Sequence, residues 1–98
     1  MTNKLNELIH QPSRLQIMAL LYVIEEADML YLKKKTGMTW GNLSSHLSKL
    51  EEVAYVEIMK SVENKKMRTT ITLTDKGKSE YDSYRESILE LVNGGAIE

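Results

Sequence analysis

With 98 residues, 42% of them hydrophobic and 28% charged, the chain has material for one compact domain with a modest core and is too short for a second of ordinary size. It holds no cysteine, which excludes disulfides, thiolate metal sites and a thiol nucleophile and fits a reducing compartment, so a cytoplasmic location is expected. The net charge of −1 argues against a nucleic-acid partner only until it is divided: residues 1–28 sum to −2, 29–74 to +4 and 75–98 to −3, so acidic ends enclose a basic centre able to release counterions from phosphates.

In chain order, Leu5, Leu8 and Ile9 fall at i, i+3, i+4 and predict a short amphipathic helix over Asn3–His10, too short to be stable alone. Pro12 suits the first turn of the next helix, in which Leu15, Ile17, Met18, Leu20, Leu21, Tyr22 and Ile24 make most sides apolar. The run Leu15–Ile24 is interrupted by Gln16 and cannot cross a bilayer, so it reads as a core helix and no membrane partner is expected. A short Met29–Lys35 segment follows, stopped by Thr36-Gly37, and Thr39 is placed to cap the helix after it, Thr39–Val53. There Leu43, Leu47, Leu50 and Ala54 fall within about 60° of one another at 100° per residue and form the core stripe. The period then changes to two: Val56, Ile58 and Lys60, and later Thr70–Leu73, predict two strands joined by the polar loop Val62–Met67. Thr74-Asp75 starts a last helix carrying Tyr81, Tyr84, Ile88, Leu91 and Val92, ended by Asn93-Gly94-Gly95.

Two helices joined by a glycine-containing turn and followed at once by a basic-tipped hairpin make a winged helix-turn-helix. The fold class is α+β, mainly α, with N-terminal and C-terminal flanking helices. One domain over 1–98 is expected, with the helix-turn-helix at about 29–54, the wing at about 56–73 and a C-terminal dimerisation helix at about 75–93. Opposite the leucine stripe of the second helix lie Gly41, Ser45, Ser48 and Glu52, flanked by Asn42, Ser44 and Lys49, with His46 and Trp40 nearer the boundaries. A slim, hydrogen-bonding face suits a major groove about 12 Å wide. The plain alternative is a solvated helix surface, and for His46 a packing or capping role. Lys60, Lys65, Lys66 and Arg68 on the wing suit phosphates or a narrow minor groove, or else only keep a loop tip soluble. Lys33–Lys35 reads as backbone contact or as a solvated run.

The stretch Thr36-Gly-Met-Thr-Trp-Gly-Asn-Leu-Ser-Ser-His-Leu-Ser-Lys-Leu-Glu-Glu-Val-Ala-Tyr-Val56, followed by Leu73-Thr-Asp-Lys-Gly77, resembles the MarR/ArsR-like winged-helix transcriptional regulators, most closely a small single-domain group of them, over roughly Gln11 to Tyr84. The resemblance implies a homodimer reading a pseudo-palindromic operator in double-stranded DNA. Its DNA-reading positions fall on Thr39, Gly41, Asn42, Ser44, Ser45, His46 and Lys49, with wing contacts near Lys65, Lys66 and Arg68. One departure is Ala54, where the family has glycine before Tyr55-Val56; if its φ is positive the change costs roughly 1 kcal/mol.

Metal-sensing relatives use Cys and His ligands, whereas only His10 and His46 occur here, so neither metal nor other cofactor is expected, and any signal falls to a small-molecule effector of unknown identity or to a partner. Leu5, Leu8 and Ile9 with Tyr81, Tyr84, Ile88 and Leu91 are expected at a dimer interface, the alternative being that both stripes pack back on the same chain. Catalysis is not expected, because Ser44 and His46 at i, i+2 point apart and no third orienting group or phosphate loop is present. The competing reading is a winged-helix protein-interaction module, which would be expected to show apolar anchors where this chain has serines, Asn42 and Lys49, with Trp40 the exception.

Overall fold

The computed structural model describes residues 5–95, in the order α1 (Pro12–Ile24), β1 (Glu26–Asp28), α2 (Met29–Thr36), α3 (Trp40–Glu52), β2 (Val56–Glu63), β3 (Lys66–Leu73) and α4 (Asp75–Val92). Each helix begins where a side chain takes an otherwise orphaned amide. Gln11 accepts from the Arg14 amide at 2.8 Å, Asp28 from Tyr31 at 2.7 Å, Thr39 from Asn42 at 3.1 Å and Thr74 from Gly77 at 2.9 Å. Caps of this kind contribute about 1 kcal/mol each. Gly37, at φ 71, ends α2 in a left-handed conformation that a Cβ would oppose, and Thr39 starts α3 two residues later, which fixes the angle between the two helices.

The core forms where the apolar faces of these elements meet the sheet. Ile17, Met18 and Leu21 of α1, Leu32 of α2, Leu43, Leu47 and Leu50 of α3, and Val56 and Ile71 of the hairpin are all at most 1% exposed. The sheet is antiparallel in the order β1-β3-β2, with Ile58 opposite Ile71 and Ala27 also paired to Ile71. Among the described residues no helix is long and apolar enough to cross a membrane.

Four expectations are corrected. The opening segment is a turn rather than a helix over the described residues, Asn3 and Lys4 lying outside them. The Asn6 carboxamide accepts from the amides of Leu8 and Ile9 at 3.0 and 3.1 Å, and a short polar side chain satisfying the backbone in this way competes with helix. β1 is an unanticipated third strand, too short for any alternation to register, created by its pairing with β3. The hairpin strands reach further than their pattern suggested: Val62, Glu63, Lys66 and Met67 are in the ladder, and only Asn64 and Lys65 form the turn. Ala54 leaves the core stripe, being exposed with φ 64 just past the end of α3, and Tyr55 enters the core in its stead at 7% exposure.

Candidate nucleic-acid interface

The polarity of α3 follows directly from its leucine spacing. With Leu43, Leu47 and Leu50 buried, Gly41, Asn42, Ser44, Ser45, Ser48 and Lys49 are all exposed on the remaining surface, and Thr39 is exposed at the cap. A Cβ added at Gly41 would meet nothing within 4 Å, so the leading turn of the helix opens onto free space. Every one of these predicted positions therefore reaches solvent, on one side of one helix.

His46 is half-buried and differs from its neighbours. Its Nδ1 lies 3.2 Å from Nη1 of Arg14 in α1, and Arg14 in turn donates from Nε to the Leu8 carbonyl at 2.5 Å. A guanidinium only donates, so Nδ1 is the acceptor and the ring is neutral with its proton on Nε2. Desolvation, then the positive charges of Arg14 and Lys49, hold the imidazole below its ordinary range. His46 thus ties α3 to α1 and the N-terminal segment, with its other nitrogen left to face outward.

The hairpin continues the exposed side of α3. Cross-strand partners share a face, so Val56 with Leu73, Ile58 with Ile71, Lys60 with Thr69 and Val62 with Met67 form one side of the ladder from base to tip. A groove runs between this side and α3, lined by Ser44, Ser48 and Glu51 from the helix and Ile58, Lys60 and Thr69 from the strands. A second concavity nearer the start of α3 is lined by Leu30 and Trp40 on one wall and Met67 and Thr69 on the other. Lys60 is exposed beside the serine face, and Lys65 and Lys66 are exposed at the tip.

Arg68 is placed differently from the other wing cations. It pairs with Ser61 on the opposite side of the ladder and is held by Glu63 at 3.1 Å and Asp28 at 3.6 Å. These exposed ion pairs link the wing to β1 while the Arg68 side chain stays about half exposed. Trp40 is half-exposed, with the Lys33 ammonium 5.2 Å from its ring centroid. Lys35 lies similarly 5.7 Å from Tyr31, so two of the three lysines in that run rest on aromatic faces.

The residues expected to meet a second copy divide into three groups. Ile9 and Tyr84 are taken up by the chain's own core, at 0% and 5% exposure. Tyr84 also bonds His10 Nδ1 at 2.7 Å and stacks at 6.2 Å on Tyr81, which lies 4.9 Å from Tyr22. Burial raises both tyrosine hydroxyls above their ordinary range. Leu5, Leu8, Tyr81 and Ile88 are half-buried against that core. Leu91 is exposed, and beside it are Leu89 and Val92, at 56% and 73%. Sequence reasoning missed Leu89, although its spacing of three from Val92, past the end of the tyrosine cluster, was a usable signal. It also missed the exposed pair Val62 and Met67, whose signal was alternation continuing into a polar turn. Among the described residues no group of three or more His, Asp or Glu is arranged to hold a metal ion.

Comparison with known proteins bears on this arrangement. The winged helix DNA-binding domain family matches residues 13–92. An uncharacterized protein of Methanocaldococcus jannaschii is 45% identical over 78 residues, 80% of this chain and 85% of that one. A transcriptional regulator homologue from Pyrococcus horikoshii superposes with a TM-score of 0.86 at 29% identity, covering 91% of this chain and 88% of that one. The overoxidized form of AbfR bound to DNA gives a TM-score of 0.71 at 18% identity over 83% of this chain and 59% of that one, a likeness of fold alone. A match spanning both helices of the turn, the hairpin and α4 makes this chain a member of the winged helix DNA-binding domain family.

Proposed function

We propose that the chain acts in the cytoplasm as a homodimeric, sequence-specific regulator, with α3 in the major groove of double-stranded DNA and the hairpin on the flanking duplex. The observation that carries this reading is the continuity of one surface: the exposed serine, asparagine and lysine side of α3 runs across a groove into Lys60 and on toward the turn at Lys65. Thr39, Gly41, Asn42, Ser44, Ser45, Ser48 and Lys49 contact bases and adjacent phosphates, and the outward nitrogen of His46 donates to the same strand. Glu52, at the far end of α3 and outside the groove between helix and hairpin, stays clear of the backbone.

The turn of the wing adds support. Asn64 and Lys65 have φ of 50 and 63, the pairing of a two-residue hairpin turn that favours Asn-Gly. A lysine at the glycine position costs about 1 kcal/mol, and a strained residue persists where its side chain has a task. Contact with a phosphate is such a task.

The half-exposed Trp40 favours a second reading, docking on a protein partner. Lys33 over its ring and the polar side chains along the rest of that helix face favour DNA. The test is binding to a pool of random duplexes in dilute buffer, with selection and sequencing of the bound fraction. Affinity is expected to fall steeply with salt, and Lys65→Ala with Lys66→Ala to flatten the slope by about 0.9 for each phosphate no longer neutralised. Ser45→Ala is expected to change the selected sequence and leave the slope alone. Absence of salt-sensitive retention on any duplex overturns the proposal.

A further inference from the structure

The wing carries an apolar edge that neither folding nor phosphate contact accounts for. Val62 and Met67 are direct cross-strand partners, each 68% exposed, immediately behind the two-residue turn. Burying them against one another does not explain them, because a pair with no role in the core is ordinarily polar at a hairpin tip. They lie on the same side of the ladder as Lys60 and as half-buried Ile58 and buried Ile71, the side that faces α3. Met67 also shares a concavity with Trp40 in the first turn of α3. The wing's one arginine is on the opposite side, occupied by Glu63 and Asp28.

Distance and charge say what this edge meets. From Ile58 to Val62 is four residues of strand, about 13 Å, which compares with the roughly 12 Å width of a major groove. With α3 seated in that groove, an edge projecting that far along the hairpin suits the neighbouring minor groove. Lys65 in the turn and Lys66, which alternation places on the face of the ladder opposite Met67, put positive charge on both sides of the tip, which complements the two phosphate walls of a minor groove and is ill suited to a second copy's basic centre. Resting on the DNA-binding reading above, we propose that the wing engages the flanking minor groove through the Val62–Met67 edge, packed against deoxyribose and partly unstacking a base step, while Lys65 and Lys66 hold the phosphates on either side. An apolar wedge of this kind is accommodated most easily at a flexible pyrimidine–purine step, so the wing selects by deformability instead of by hydrogen bonds.

The experiment uses the full chain and a duplex recovered from the random pool, made in two versions with a TA or a GC step at the flanking position and 2-aminopurine beside it. Val62→Ser with Met67→Ser keeps the ladder and removes the wedge. Wild type is expected to prefer the TA duplex and to brighten 2-aminopurine on binding. The variant is expected to bind roughly tenfold more weakly, to lose both the preference and the brightening, and to keep the wild-type salt slope, since the same phosphates stay neutralised. Lys65→Ala with Lys66→Ala should do the converse, flattening the slope while the TA preference persists. Unchanged affinity and flank preference in the serine variant overturns the wedge and leaves the DNA reading intact. A variant whose oligomeric state changes in its place assigns the edge to a second copy and likewise overturns it. Wild type binding no duplex defeats the underlying reading itself.

Discussion

Ala54 stands at a backbone position built for glycine. Its φ of 64 lets the Tyr55 amide turn back to the Leu50 carbonyl at 2.9 Å and brings Tyr55 into the core, so the conformation is needed even though the residue is unsuited to it. Its Cβ is exposed, so removing it leaves no cavity. Ala54→Gly is expected to raise the unfolding free energy by about 1 kcal/mol, read from urea denaturation with an unchanged slope. His46 offers a second test at the same scale. Desolvation first, then Arg14 and Lys49, hold the folded imidazole below the unfolded value of 6.5, so folding favours the neutral ring. The corresponding stability is present above pH 6.5 and is lost as pH falls through the lowered folded value, where the unfolded chain binds the extra proton. Thermal unfolding between about pH 8 and pH 5 is expected to show a steeper acid decline in wild type than in His46→Gln, which still accepts from Arg14 and does not titrate. Parallel pH profiles for the two proteins would remove the link.

Among the elements, α4 shows why a motif glycine is where it is. A Cβ on Gly77 would lie 2.2 Å from the Tyr55 carbonyl oxygen, which also receives the Thr74 amide at 3.1 Å, so the first turn of α4 rests directly on the strand that follows Ala54. Gly77→Ala is expected to destabilise by about 3 kcal/mol, since backbone must move, and far-ultraviolet dichroism with urea titration measures it. Helix starts at Thr39 and Thr74 and the stop at Gly37 were legible in the sequence because a cap is chemistry within four residues, and the leucine spacing of α3 fixed its outward face for the same local reason. β1 was not legible, because three residues become a strand only when β3 arrives from over 40 positions away. The occupied state of Arg68 was hidden likewise, since Asp28 is a distant neighbour brought close by the sheet. At the N-terminal segment the helical spacing of Leu5, Leu8 and Ile9 was real but lost to Asn6, whose side chain takes the amides of Leu8 and Ile9 and also bonds the Tyr55 hydroxyl at 2.9 Å.

At the scale of the whole molecule, the described residues extend 53 Å along one axis against 25 and 21 Å across. α4, with 18 residues and about 27 Å of length, packs through its first half against Tyr22 and His10 and leaves Leu89, Leu91 and Val92 on its last turns exposed. Leu89 and Val92, three apart on one face and beyond the residues that the chain's own core uses, suit a two-fold contact between copies; in such a dimer two α3 helices about 34 Å apart would meet successive major grooves. Ile88 is a poor probe of this because it is half-buried in the monomer, so a charge there disturbs folding as well as association. Leu89→Asp with Val92→Asp changes only exposed positions. Sedimentation at micromolar concentration is expected to give a dimer for wild type and a single chain for the double variant, with dichroism and the urea midpoint of the isolated chain retained. Operator affinity should fall by about 10²-fold or more in that variant, because each half-site is then held without the effective concentration that the linked partner provides. Wild type sedimenting as a single chain removes the dimer, and a dimeric double variant moves its interface away from the end of α4.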